Sequence, residues 1–417
     1  MDTDDEAVRA QYEAYPYPNR DPADEARRLI TGSPSHLLEI EHYVFGGRRA
    51  GPLRALVAGG GTGDAAIMLA QHLADRGEGG EVAYLDMSAA SMAIARARAE
   101  ARGLTNLRFL RGSLLDVADL LPGPFDYIDC CGVLHHLDDP SAGLDALLSV
   151  LAPDGGMGIM LYGALGRTGV YPLQRALRRL TGGGAPTARV AQARTLLAAL
   201  PETNWFRRNP FLGDHLRGDD AGLYDLLLHP RDRAFTVPEI AALCDGAGLR
   251  LTGFLPPLRY DPLLLLTDEA LRGAAAALPW LEACALAEEL AGNLKTHVFY
   301  AVRQDAANGA PADPAPADAV PVLRENAPDA LARGLAKTAR LKVDLDGIPQ
   351  RFDLPAGAAD IVRLIDGRRT PRDIHRRLMV RDAKLDWLVF KNRFDRLYAL
   401  LRPLNMLLLG GPGAPPR

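Results

Sequence analysis

Between residues 53 and 163 short apolar runs alternate with longer amphipathic stretches, and this rhythm restricts the chain to one kind of architecture. LRALVA, EVAYLD, LRFLRGS, FDYIDCCGVL and MGIMLYG read as strands. AAIMLAQHLADRG, SAASMAIARARAEARG and SAGLDALLSVLAPDGG read as the helices between them. Strands joined by helices of this length must lie parallel, with the helices covering both faces of the sheet. The pattern returns later: TVPEIAALCDGAG as helix, then LRLTGFL and THVFYAVR as strands. The expected fold is therefore α/β, a doubly wound, mostly parallel sheet of seven strands.

At 417 residues the chain exceeds what one ordinary core supports. We expect one domain over 1–303, with its core in 50–163 and 233–303 and a helical lid insertion at 164–232. Residues 22–45 read as helix, interrupted near Gly32, Ser33 and Pro34. The segment 304–321, rich in Pro, Ala and Asp, reads as a linker with no means of packing a core. Residues 322–417 then form a separate small α+β module. The 48 Lys and Arg against 52 Asp and Glu give a net charge of −4, which lacks the basic footprint of a nucleic-acid binder. The N-terminus, MDTDDEAVRAQYEAYPYP, has no apolar signal core, and no apolar run reaches 18 residues, so no membrane association is expected. Four cysteines without C-x-x-C spacing predict neither a disulfide framework nor a metal site, and a cytoplasmic protein.

ALVAGGGTGD carries Gly59, Gly61 and Gly63 at the turn from strand to helix. Such a turn lets backbone approach a ligand that a Cβ would block, and the helix that follows offers free N–H groups. Asp86 ends the second strand, where a carboxylate can accept both hydroxyl hydrogens of a ribose. Each feature has a plain alternative, a structural turn for the glycines and a helix cap for the aspartate.

Four ordered motifs now lie within 53–163: the glycine turn, Asp86, FDYIDCCGVLHHLDDP and LLSVLAPDGGMGIMLYG. Together they resemble the class I S-adenosylmethionine-dependent methyltransferases, which have a Rossmann-like fold. The resemblance implies S-adenosyl-L-methionine as cofactor, with Gly59, Gly61 and Gly63 lining its amino-acid end. It further implies Asp86 on the ribose, Met87 packed on the adenine, the Leu114 backbone N–H at the adenine ring and Cys131 near the methionine portion. Two positions depart from the family pattern. Val57 stands where an acidic residue usually precedes the first glycine, and Ser113 where an aspartate usually contacts the adenine amino group. A hydroxyl accepts more weakly than a carboxylate. Asp64 and Asp116 are nearby candidates to compensate.

On the acceptor side, QYEAYPYPNRDP makes a stiff aromatic segment whose Tyr15 and Tyr17 could cover the cleft or simply pack on the sheet edge. Tyr162 ends the fifth strand as a further substrate candidate. His135 is the candidate catalytic base, with His136 behind it, because an imidazole there can accept a proton near neutral pH. NWFRRNPF in the insertion could bind an acidic or aromatic acceptor, the plainer alternative being solvated arginines beside a buried Trp205. Arg231 and Arg233 are expected to pair with Asp232 or Asp225. The segment 341–378 resembles small winged-helix modules that hold precursor peptides, which implies peptide binding or self-association through the C-terminal module. The reading is a methyltransferase acting on an O, N or C nucleophile of a small molecule or peptide. The alternatives are an NAD(P)-dependent oxidoreductase on the same sheet and a non-catalytic cofactor- or peptide-binding protein.

Overall fold

The computed structural model describes residues 3–47, 51–182, 184–216, 220–309, 315–325 and 327–410. Its centre is a seven-stranded sheet formed by β1 (Leu53–Ala58), β2 (Gly80–Asp86), β3 (Leu107–Arg111), β4 (Phe125–Cys131), β5 (Leu151–Tyr162), β6 (Leu249–Leu255) and β7 (Thr296–Arg303). The strand order is β3-β2-β1-β4-β5-β7-β6, and β7 runs antiparallel to both of its neighbours. The order reverses between β1 and β4, so a crevice opens at their carboxyl ends, where ligands of such sheets bind.

The helices are α1 (Thr3–Ala14), α2 (Leu37–Tyr43), α3 (Asp64–Arg76), α4 (Ala89–Ala101), α5 (Val117–Leu120) and α6 (Pro140–Ser149). Two apolar layers sandwich the sheet, because each central strand buries side chains on both faces. Ile128 and Met157 belong to one layer, Val57, Tyr127 and Tyr300 to the other. Instead of a helix over 22–45 there is a short 3-10 turn, Pro22–Ala26, and then α2. Residues 30–35 carry no regular structure, bend at Ser33 and Pro34 and line the cleft, since Pro34 cannot donate a helical hydrogen bond. α6 stops at Ser149, and LAPDGG joins β5 beyond a register shift opposite Phe125 and Tyr127.

The insertion after β5 contains α7 (Val170–Thr181), α8 (Pro186–Ala199), α9 (Trp205–Arg208) and α10 (Asp220–Leu227), which share a core of their own around Leu173, Leu177, Phe206 and Leu223. In NWFRRNPF it is Phe206 that is buried, while Trp205 is 65% exposed. The Arg207 and Arg208 side chains donate to the carbonyls of Leu200 and Glu202. α11 (Val237–Gly246), α12 (Glu269–Ala276) and α13 (Trp280–Ala291) complete the sheet's helical cover.

The C-terminal part runs β8 (Val320–Leu323), α14 (Pro328–Leu335), β9 (Arg340–Asp344), β10 (Pro349–Asp353), α15 (Ala358–Arg363), α16 (Pro371–Met379), α17 (Trp387–Leu401) and β11 (Leu407–Gly410). It is not separate from the rest. Val320 and Pro321, read as linker, begin a strand that pairs antiparallel with β11. This two-stranded sheet is buried on both faces. Val320, Val322 and Leu408 pack into the core with α2, while Leu323, Leu407 and Leu409 face α14–α17, following the two-residue alternation of a strand. Polar contacts fix the joint: Leu409 N–H donates to His42 Nδ1 (3.0 Å) and Asn405 Nδ2 to Glu39 Oε1 (2.6 Å). Within the linker, 310–314 lies outside the described residues.

Candidate active site

A cavity of about 400 Å³ opens at the carboxyl ends of β1, β2 and β4. Its floor is the glycine turn. Gly59, Gly61 and Gly63 have φ of +75°, +52° and +102°, which side chains rarely adopt. A Cβ on Gly59 would lie 2.3 Å from Val133 Cγ2, and one on Gly63 would lie 2.9 Å from Ala95 Cβ. The turn thus needs glycine both for its conformation and for close approach of α4. Its N–H groups at Gly59 and Gly60 donate to the Leu85 carbonyl, tying it to the end of β2.

Asp86 follows Leu85 and faces the cavity. One carboxylate oxygen accepts from Gly61 N–H (2.7 Å) and the other from Ser88 N–H (2.8 Å), while Ser88 itself caps α4. Burial pushes its carboxyl above the usual range, and these backbone donors pull it back only in part. The Met87 N–H adds a third backbone donor, and the carboxylate's remaining lone-pair capacity faces the cavity, where it can accept a hydroxyl hydrogen. Met87, Ser113, Leu114 and Cys131 line the same cavity. Ser113 accepts from Leu115 N–H (3.2 Å), which caps the following turn and holds its hydroxyl beside the wall. Asp64 does reach the cavity, but Arg20 (2.6 Å) and Arg98 (2.7 Å) engage it. Asp116 is not among the lining residues.

The N-terminal segment forms the roof. Tyr12, Tyr17 and Pro18 line the cavity, Thr62 Oγ1 donates to the Pro18 carbonyl (2.7 Å), and Glu13 accepts from the N–H groups of Ala89 (2.7 Å) and Ala90 (3.1 Å) at the start of α4. A carboxylate suits that position because a helix N-terminus carries unsatisfied donors and partial positive charge. Tyr15 lies elsewhere. Its ring stacks on Tyr224 at 5.2 Å, outside the cavity, and anchors the roof to the insertion.

The two histidines separate. They sit in a 3-10 turn, Leu134–His136, where successive side chains point about 120° apart. His135 is fully buried, stacked on Tyr162 at 3.9 Å, and neither ring nitrogen has a hydrogen-bond partner among the described residues. Burial holds it well below the usual histidine range, and it does not line the cavity. His136 does line it. The His136 Nδ1 lies 2.9 Å from the Arg231 carbonyl, which only an N–H can satisfy, so its Nε2 is the basic nitrogen. Beside it Asp225, from α10, accepts from Tyr162 (2.8 Å) and Tyr12 (3.2 Å). Arg231 completes this wall, its Nε donating to the His136 carbonyl (2.7 Å). Asp232 pairs instead with Arg167 (2.9 Å), and Arg233 with Glu239 (3.2 Å). Tyr12 belongs to the aromatic segment QYEAYPYPNRDP, whereas Asp225 and Arg231 were not legible as site residues, since no local motif marks them and only the insertion's return path brings them here.

His136, Asp225 and His229 place one ligand atom each within 4.8 Å of one another, a composition that suits a transition metal. The hydrogen bonds argue otherwise. His229 Nδ1 accepts from Arg231 N–H (3.1 Å), so in the neutral ring the proton occupies Nε2 and no bare nitrogen remains. Burial keeps His229 neutral.

Residues 56–157 match a family model described as a methyltransferase domain. Sheet order and glycine turn agree with this match, and residues 56–157 form a methyltransferase domain on a Rossmann-like sheet. An uncharacterized protein of Synechococcus sp. is 35% identical over 268 residues, 62% of this chain and 61% of the relative. The tRNA 5-carboxymethoxyuridine methyltransferase of Escherichia coli is 39% identical over 115 residues, 27% of this chain and 42% of that enzyme. The chain therefore spans less than two thirds of the length of either relative. Among solved structures, PKMT2 from Rickettsia typhi superposes over 90% of this chain and 75% of its own with a TM-score of 0.64 at 14% identity, a likeness of fold that includes the C-terminal part.

Proposed function

We propose that the chain transfers a methyl group from S-adenosylmethionine to an O, N or C nucleophile of a small molecule or peptide. One observation carries the reading. Asp86, held by backbone donors, and the side-chain-free run of Gly59, Gly60 and Gly61 face one cavity at the sheet's reversal point, while Gly63 packs against Ala95 outside the lining. In this reading Asp86 accepts the ribose hydroxyls, Met87 and Leu114 flank the adenine, and Ser113 accepts weakly from its amino group. Cys131 lies along the methionine chain. The bound sulfonium supplies an activated methyl group. The protein's part is to align the acceptor in line with it, exclude water and take a proton where the acceptor carries one.

We assign the proton-accepting role to His136 rather than His135, because His136 alone of the pair borders the cavity with its Nε2 basic. Tyr17, Tyr162, Tyr12 and Asp225 would shape the acceptor's side, with the insertion serving as a lid. The edge of the β9–β10 hairpin, where β10 pairs only with β9 among the described residues, suits an extended peptide in the manner of a small winged-helix module. No described helix is long and apolar enough to cross a membrane. Four free cysteines support a reducing, cytoplasmic setting. The test is to incubate the chain with methyl-labelled S-adenosylmethionine and cell extract and to follow S-adenosylhomocysteine and labelled product by mass spectrometry. Tight NAD(P) binding with no binding of the sulfonium would overturn the reading.

A further inference from the structure

Resting on the methyl-donor reading above, we infer that Asp129 is the carboxylate that binds the α-ammonium of the cofactor's amino-acid end. The argument begins with register. β1 and β4 are parallel neighbours, and Val57 pairs directly with Asp129. Register partners on adjacent strands project to the same face of the sheet, and both of these residues line the cavity. At this level β1 offers only an isopropyl group, two residues before Gly59. The charge at this level of the sheet comes from the neighbouring strand, 72 residues away in sequence.

Asp129 is 1% exposed. Its Oδ2 accepts from Ser35 Oγ at 2.5 Å, and the backbone N–H of Cys131 adds a second donor. It makes no ion pair among the described residues. Two neutral donors do not offset the burial of a full charge, because buried carboxylates require a cation or further strong donors. The imbalance is visible in its acidity, which burial pushes up to about 7. The other acids of the cavity are already engaged. Asp64 has Arg20 and Arg98, Asp86 has the N–H groups of Gly61 and Ser88, and Asp225 has two tyrosine hydroxyls. Of the buried acids that meet only neutral donors, Asp86 is given to the ribose and Asp225 lies on the acceptor's side with Tyr12, Tyr162 and His136, which leaves Asp129, at the level of Val57, for a cation. An ammonium brings three donors and a positive charge. Seated there it lies beside the turn of Gly59 and Gly61, while the ribose stays on Asp86 at the end of β2. The acidic residue absent from Val57 has been replaced by its register partner.

Calorimetry on the full chain tests this with two ligands, S-adenosylhomocysteine and its analogue lacking the α-amino group. Wild type should bind the amine-bearing ligand roughly 10- to 100-fold more tightly, the scale of one charged hydrogen bond. Asp129→Asn, which keeps an acceptor for Ser35, should lose that preference and bind the two ligands equally. The double variant V57D/D129V, which moves the carboxylate one strand over, should restore the preference. A folded D129N that still favours the amine by the wild-type factor removes this assignment and leaves the donor reading intact. Wild type that binds neither ligand removes the donor reading, and the assignment with it.

Discussion

Arg98 is 1% exposed in the last turn of α4, and its guanidinium joins three parts of the chain. It donates to Glu25 Oε1 (2.7 Å) in the N-terminal segment, to the Thr62 carbonyl (2.7 Å) in the glycine turn and to Asp64 Oδ1 (2.7 Å) at the start of α3. Arg98→Met keeps most of the aliphatic volume and removes every one of these bonds. Breaking a buried ion pair costs about 3–5 kcal/mol, since the partner left behind is an uncompensated charge. Here Glu25 retains Arg102 and Asp64 retains Arg20, whereas the Thr62 carbonyl is left bare. The loss therefore belongs at the lower end, about 3 kcal/mol. At roughly 1 °C per kcal/mol for a cooperative unit of this size, this lowers the thermal midpoint by about 3–4 °C. The pH dependence has a definite sign. Burial alone would raise the Asp64 carboxyl, but its bonds and charge pairing with Arg20 and Arg98 bring it below the usual range. A depressed acid stabilises above its unfolded pKa, and that contribution disappears as pH falls through the folded value. The gap between wild type and variant should accordingly narrow below about pH 4. Thermal unfolding followed by circular dichroism at neutral and acid pH reads both effects. A midpoint within 2 °C of wild type at about pH 7 would show that the joint is not energetically important, and the argument from burial would be wrong.

Other outcomes follow from the cavity wall. Asp86→Ala should weaken S-adenosylhomocysteine binding by about 1–3 kcal/mol, the scale of hydrogen bonds to a charged acceptor. An unchanged dissociation constant in the folded variant would take Asp86 out of the site. His136→Asn should lower kcat on a protic acceptor by about 10²–10⁴ while changing KM little, and turnover equal to wild type would show that no proton passes through it. His135→Phe should leave turnover intact and raise stability by about 1–2 kcal/mol, because it removes two buried nitrogens that have no partner among the described residues. A fall in turnover matching that of H136N would reverse the assignment of the two histidines.

The sheet was legible because its information is local. Six-residue apolar runs followed by glycines, such as LRALVAGG, specify a buried parallel strand wherever they occur. The glycine turn and Asp86 were legible for the same reason, since the end of a strand fixes which edge a residue occupies. What could not be read depends on pairing across distance. Asp129 sits inside the strand FDYIDCC and looks like an interruption of its apolar run. Only the register with Val57 reveals that it faces the cavity. His135 and His136 are adjacent in sequence, so nothing local decides which of them turns inward. The C-terminal part reads as detached because β8 and β11 each offer a short apolar run at opposite ends of it. Their pairing, and the burial of Val322 and Leu408 against the core, appears only in three dimensions.

The roof over the cleft has a consequence for how ligand and chain ends are coupled. The N-terminal segment is held by Glu13 on the N–H groups of Ala89 and Ala90, by the Tyr12 carbonyl on Ser88 Oγ, by Pro18 on Thr62 and by Glu25 on Arg98. Every one of those anchors belongs to the glycine turn or to α4, the elements that present Asp86 and Gly61 to the ligand. Ser88 donates its N–H to Asp86 and its hydroxyl to Tyr12, so one residue serves both the proposed ribose carboxylate and the roof. A ligand that orders the turn therefore orders the anchors of the roof, and by linkage an ordered roof tightens the ligand by the same factor. The aromatic segment thus roofs the cavity rather than packing on the sheet edge, because the hydrogen bonds named above converge on the glycine turn and the start of α4.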